Sequence, residues 1–326
     1  EMQLQAKSGA PPAWKLEWVQ QITGAQLLFP LEKSVTFKNI STDTRTIQAG
    51  DLFVALKGEN FDGSNFCGKA IQKGASGLLI NHVPGQSQPD MDFHQSIPVL
   101  LVPDTLAALG QLAGNLRRWS NYLRVLAITG SSGKTTVKEM VGAILSQSHA
   151  ILKTEGNFNN LIGLPLTLFR LEPEHEIAVL EMGMNRPGEI ARLTEIADPD
   201  VACIINVQEA HLEGLGDIWG VARAKNELFA GLKPESKVAV NLDDEIVSSL
   251  AAALGQEKIF FGCHPDALVR ATNIQSLGEN GMKFSLHIGT ETRQVAIQGL
   301  GKHNVTNSLA AAAMAHGSGI CIDEIT

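Results

Sequence analysis

Short runs of continuous apolar residues alternate with segments of helical period along most of the chain. In the second part these runs are VLAIT (125–129), IAVLE (177–181), VACIIN (201–206) and KVAVN (237–241), each ending in a polar residue. Continuous hydrophobicity, as opposed to alternation, predicts strands buried on both faces, hence an α/β fold with a mostly parallel sheet. The earlier pieces are shorter and β-rich: DLFVAL (51–56), GLLI (77–80) and IPVLLV (97–102). Turn signals separate them at Gly50, Gly58, Gly74 and in VPGQSQPD. They predict a small α/β domain over residues 1–103. From Asp104, the segment DTLAALGQLAGNLRRWS places leucine at 106, 109, 112 and 116. That spacing predicts a helix capped by Asp104 and opening a second domain over 104–326.

Composition supports two cores. The chain has 326 residues, 44% of them hydrophobic and 18% charged, which excludes disorder as the main state. No apolar run approaches the roughly 18 residues of a membrane span, and the first residues lack a signal-type apolar stretch. The four cysteines form no CxxC pair, so neither a disulfide framework nor a zinc site is expected, and a cytoplasmic setting fits. Twenty-six basic against 34 acidic residues give a net charge of −8, which argues against a nucleic-acid partner. An anionic substrate would need local positive groups.

In a parallel sheet ligands gather at the carboxyl ends of the strands, and the residues there are Thr129, Glu181, Asn206 and Asn241. The strand ending at Thr129 runs into Gly130, Ser131, Ser132, Gly133, Lys134, Thr135 and Thr136. A helix follows, with Val137, Met140, Val141, Ile144 and Leu145 on one stripe. Strand, glycine loop and helix together form a phosphate-binding context, in which Lys134 reaches the β/γ-phosphates and Thr135 holds Mg²⁺. Ile128 stands where the general motif has its first glycine. Glu181 closes an apolar strand at the same sheet edge, as a second Mg²⁺ ligand requires.

Three further positions carry a plain reading beside a chemical one. His211, in a loop, is structural or functional. Lys225 sits on the apolar stripe Ile218, Val221, Ala222, Leu228, Phe229 and Leu232. Either its stem is buried with the ammonium in water, or burial lowers its pKa and leaves a reactive amine. Asn304 and Asn307 share a helix face, as a cap and its neighbour or as a pair reading a base edge.

The stretches STDTRTIQAGDLFVALKGENFDG, ITGSSGKTT, EGNFNNLIGLPLTLF, AVLEMGMNRPGEIA, AHLEGLGD, ARAKNELF and GKHNVTNSLAAAA resemble, in order, the Mur ligases of peptidoglycan synthesis. Within them the resemblance points to the branch that joins D-Ala-D-Ala to UDP-MurNAc-tripeptide using ATP. It implies that Lys134 binds ATP phosphates, and that Thr135 and Glu181 serve one Mg²⁺. His211 and a carbamylated Lys225 would serve a second. Asn304 and Asn307 would contact adenine. Ser41, Thr42, Asp43, Thr44 and Arg45 resemble the uridine-diphosphate pocket, although a plain polar turn fits the same spacing. Asn157, Asn159 and Asn160 would face the muramoyl-peptide. A monomer is expected, and the resemblance further implies a third, Rossmann-like domain beyond Thr326, without which full turnover is not expected. Two rivals stay open: the sister ligase that adds the third amino acid, and a catalytically incomplete nucleotide- and UDP-sugar-binding fragment. A GTPase reading lacks the NKxD signature.

Overall fold

A computed structural model describes residues 13–31, 33–58, 61–82, 97–209 and 215–326. The turn VPGQSQPD and His211 lie outside these residues. The chain divides into two compact units.

The first unit holds the chain up to Ser120 together with Leu168–Pro173. Among the described residues its larger sheet has five strands in the order Gln26–Leu27, Val99–Leu101, Gly77–Ile80, Leu52–Val54, Ile40–Ser41, parallel except at the first pair. Successive side chains of a strand point to opposite faces. Thus Leu52, Val54, Leu79 and Leu100 enter one apolar cluster, while Phe53, Leu78, Ile80 and Val99 enter another. Both faces are buried, which is why the strands read as unbroken apolar runs.

The helix foreseen after Asp104 spans Thr105–Trp119, and Asp104 caps it by accepting from the N–H groups of Leu106 (2.8 Å) and Ala107 (3.0 Å). It belongs to the first unit, so the boundary expected at 103/104 falls instead after Ser120. The reason is packing: Leu109, Leu112 and Leu116 share a core with Val19, Leu79 and Leu100. Asp104→Ala is expected to cost about 1 kcal/mol of stability, the usual cost of a lost N-cap. Urea unfolding checks this, and an unshifted midpoint would contradict it.

The second unit is built on a nine-stranded sheet among the described residues. Its parallel part runs, in spatial order, Ile151–Lys153, Ile177–Glu181, Arg124–Thr129, Val201–Ile204, Lys237–Asn241, Glu257–Gly262, Val269–Ser276. Met282–Ile288 and Glu291–Ile297 then continue the sheet antiparallel. Leu126, Ile128, Val179 and Cys203 pack with Val137, Val141, Leu309 and Ala313 of the helices Lys134–Leu145 and Lys302–Gly317. The helices Glu189–Ala197 and Ile218–Ala230 pack against the sheet and each other as well. From Arg124–Thr129 the chain moves first to one side of the sheet and later, at Val201–Ile204, to the other. Such a reversal opens a crevice at the carboxyl ends of the flanking strands. No helix among the described residues is long and apolar enough to cross a membrane.

Candidate active site

The central strand delivers the glycine loop into that crevice. The helix Lys134–Leu145 starts after Gly133, whose φ of 80° is left-handed. A Cβ there would also run into Oδ1 of Asn307. The positive φ favours glycine there, and any larger residue would in addition displace the Asn307 carboxamide. Gly133 brings no capping side chain, so the first N–H groups of the helix are left for an outside acceptor at the positive end of its dipole. That is an anion site in form.

Lys134 arches back over the loop, its Nζ donating to the Gly130 carbonyl at 2.9 Å. Burial lowers its pKa, and the nearby Glu181 carboxylate works against that lowering. Glu181, at the end of the neighbouring strand, is 2% exposed. A carboxylate so buried requires partners. Oε2 accepts from Thr135 Oγ1 at 2.9 Å and Oε1 from Asn159 Nδ2 at 2.8 Å, while the Glu181 N–H donates to Thr154 Oγ1 at 3.0 Å. Thr135 and Glu181 therefore stand side by side as hard oxygen donors. Mg²⁺ suits such a two-ligand set, because it retains waters and takes phosphate oxygens for the rest of its shell. Among the described residues no three His, Cys, Asp or Glu side chains converge on one metal position.

Lys225 is fully inside. The helix Ile218–Ala230, capped by Asp217 accepting from Gly220 N–H at 2.7 Å, turns it inward at 2% exposure. The reading with the ammonium in water is therefore excluded. Burial, and the charge of Lys134 after it, push the amine down to about 7. One half-turn on, Glu227 accepts from the N–H groups of Gly188 (2.7 Å) and Ala191 (3.0 Å), at the start of the helix Glu189–Ala197. Glu189 accepts from Asn185 and Arg186 N–H at 2.6 and 3.1 Å. The segment that follows Glu181 is thereby fastened by two carboxylates.

The asparagines separate by role. Asn159 supports Glu181, as above. Asn160 Oδ1 accepts from Ile162 (3.1 Å) and Gly163 (2.8 Å), which starts the helix Gly163–Leu168. Asn157 is exposed and accepts from Asn159 N–H through its carbonyl at 2.7 Å. Asn304 and Asn307 do share a face, joined by Asn307 Nδ2 to Asn304 Oδ1 at 3.3 Å. Asn307 is buried with its carboxamide against Gly133, while Asn304 donates to the Leu300 carbonyl at 2.8 Å and is partly open.

In the first unit, Ser41 to Arg45 form a turn after the strand Ile40–Ser41. Asp43 accepts from the Arg45 N–H at 2.8 Å and pairs with its guanidinium at 2.6 Å. Those bonds hold the Asp43 carboxyl below the usual carboxylate range. The Ser41 hydroxyl meets the Asp43 backbone, Thr44 is buried, Thr42 is half-buried, and the Arg45 side chain is 84% exposed.

Sequence reasoning did not single out Thr154, Glu227 or the part played by Asn206. A strand-end asparagine was visible in VACIIN, but its partners are distant in sequence. For Glu227 the signal was its place two residues after Lys225.

Comparison with known proteins adds the following. The Mur ligase middle domain matches residues 128–315, and the Mur ligase family catalytic domain matches residues 36–117. The UDP-N-acetylmuramoyl-tripeptide–D-alanyl-D-alanine ligase of Escherichia coli (strain K12) is 43% identical over 296 residues, 89% of this chain and 62% of that protein. Crystal structure I of MurF from Acinetobacter baumannii has a TM-score of 0.87 at 36% identity, covering 96% of this chain and 67% of that one. For the MurF ligase of Thermotoga maritima in complex with ADP the TM-score is 0.76 at 28% identity, covering 88% and 65%. The chain spans less than two thirds of the length of the curated relatives it matches.

Proposed function

For a chain that belongs to the Mur ligase family, we propose the ATP-dependent joining of D-Ala-D-Ala to UDP-MurNAc-tripeptide through an acyl phosphate. The observation that carries this reading is the Thr135–Glu181 pair at the mouth of the glycine loop. It gives a phosphate site and a metal position on one sheet edge, as phosphoryl transfer demands. The D-Ala-D-Ala names of relatives at 38% to 43% identity favour this branch over the sister ligase that adds the third amino acid.

On this reading the residues take the following roles. Gly130, Ser131 and Ser132 shape the loop, Gly133 to Thr136 receive the phosphates through backbone N–H groups, and Lys134 supplies the cation over the loop. Thr135 and Glu181 hold Mg²⁺, which when bound neutralises charge building on the transferring phosphoryl group. Asn304 takes the adenine edge, with Asn307 holding it from behind. Lys225, whose buried amine is partly neutral near pH 7, attacks CO₂; an N–C bond forms, a proton leaves to solvent, and the resulting carbamate would hold a second metal ion together with His211. In the first unit, Arg45 and the turn Ser41, Thr42, Asp43 and Thr44 receive the uridine diphosphate. Asn157 meets the muramoyl-peptide, and Asn159 and Asn160 shape that loop. The four cysteines, all free, suit action in the cytoplasm.

The test is calorimetric titration of this chain with MgATP and with UDP-MurNAc-tripeptide. Assay of D-Ala-D-Ala ligation by a form extended to the length of the relatives completes it. Saturable binding of both nucleotides and pentapeptide product are expected. ATP turnover indifferent to the muramoyl substrate would overturn the assignment, and product only with a free amino acid would favour the sister ligase.

A further inference from the structure

Ser131 and Ser132 turn two successive N–H groups onto one oxygen. Oδ1 of Asn206 accepts from both at 3.0 Å. The same carboxamide donates from Nδ2 to the Ser132 carbonyl at 3.3 Å and to Ser132 Oγ at 3.2 Å. Its amide is thus paired with both backbone groups of Ser132. The Asn206 carbonyl also accepts from Ser131 N–H at 3.1 Å. Two residues on, Gln208 N–H donates to Ser131 Oγ at 2.9 Å, and that hydroxyl donates to the Gln208 carbonyl at 3.0 Å. Ser132 Oγ donates to Gln208 Oε1 at 3.2 Å. The strand end after Val201–Ile204 is a template against which the loop is cast.

Converging N–H groups of this kind are the usual cradle for an anion. Here the protein fills the cradle with its own neutral oxygen. The arriving phosphates are left the N–H groups further along, at Gly133 and the start of the helix Lys134–Leu145. A loop containing two glycines within four residues is costly to order, and ordering it before the ligand arrives removes that cost from binding. The side chain must be an amide. Aspartate could accept from both N–H groups, but it could not donate to the Ser132 carbonyl and would set a negative charge beside the phosphates.

We propose that Asn206 is a positioning residue of the nucleotide site, holding the phosphate loop in its binding shape through Ser131 and Ser132. This inference rests on the nucleotide reading above. Its test is titration of this chain with MgATP and MgADP, for wild type, Asn206→Ala and Asn206→Asp, at low and high salt. Wild type is measured first, and if it binds neither nucleotide the parent reading fails and Asn206 is not the cause. Given wild-type binding, Asn206→Ala is expected to lose about tenfold in affinity for both nucleotides, with a salt dependence like that of wild type. Asn206→Asp should lose more, and more for ATP than for ADP, and should recover part of the loss at high salt, where added charge is screened. That split reports only that position 206 lies beside the phosphates; the positioning role is read from Asn206→Ala, which adds no charge and should lose nucleotide affinity while remaining folded. Thermal unfolding without nucleotide confirms that each variant is folded. Unchanged affinity in Asn206→Ala would overturn the proposal. So would tighter binding, which would make the amide a plug that nucleotide must displace.

Discussion

Lys134→Ala, in a form extended to the length of the relatives, is expected to lower the proposed ATP-dependent ligation rate by about 10²- to 10³-fold, the range seen when one preorganised charge-stabilising group is removed. The ammonium is held over the loop by the Gly130 carbonyl at 2.9 Å, so no reorganisation is needed when phosphoryl charge develops. The fold should survive, because the helix Lys134–Leu145 is anchored by Val137, Val141 and Leu145 and not by Lys134. A second effect accompanies the first. The charge of Lys134 helps to keep Lys225 deprotonated. With that charge gone the Lys225 pKa moves back up, and less of the amine is free to take up CO₂ at neutral pH. Steady-state rates, circular dichroism and intact-mass analysis would read the three consequences. A mutant turning over like wild type would sink the phosphate-loop assignment.

Lys225→Arg is expected to be as damaging, although it conserves charge. Guanidinium stays protonated and cannot become an anionic ligand. It must also enter a space in which lysine is 2% exposed. In the wild type, carbamate occupancy at fixed dissolved CO₂ should fall as pH drops below about 7, since protonation removes the nucleophilic amine. Lys225→Ala should regain part of its activity with a small carboxylate such as acetate, which can enter the vacated space and offer the missing oxygens. Full activity in CO₂-free buffer, with an unmodified Lys225 by mass spectrometry, would refute the carbamate.

The parts of this architecture that were legible beforehand are those whose signal is local. IAVLE and KVAVN are strands at the expected bounds, Ile177–Glu181 and Lys237–Asn241, because residues buried on both faces leave no polar interruption. Gly133-Lys134-Thr135 announced its own turn. The antiparallel extension was passed over although MKFSLHI alternates, with Met282, Phe284, Leu286 and Ile288 all turned to the core. Its neighbours Val269–Ser276 and Glu291–Ile297 are half-polar and carry little apolar signal. The helix Thr105–Trp119 was recognised, but its allegiance was not, since a leucine stripe does not say which core it enters. The pairing of Asn206 with Ser131 and Ser132 spans some 75 positions, and no periodicity encodes such a contact.

Glu227 sets a mechanical condition on the site. It stands on the same helix as Lys225 and grips the N–H groups of Gly188 and Ala191, at the far end of the segment leaving Glu181. An α-helix that slipped by one turn along its axis would travel about 5.4 Å, far beyond hydrogen-bond reach. The helix therefore cannot ratchet past its neighbour without stripping both bonds from a carboxylate. Lys225 and the anchored end of the strap leaving Glu181 are coupled like two jaws on one hinge pin. Motion that keeps both bonds carries the two together, so the spacing between the Lys225 helix and the end of that strap is kept while their surroundings shift.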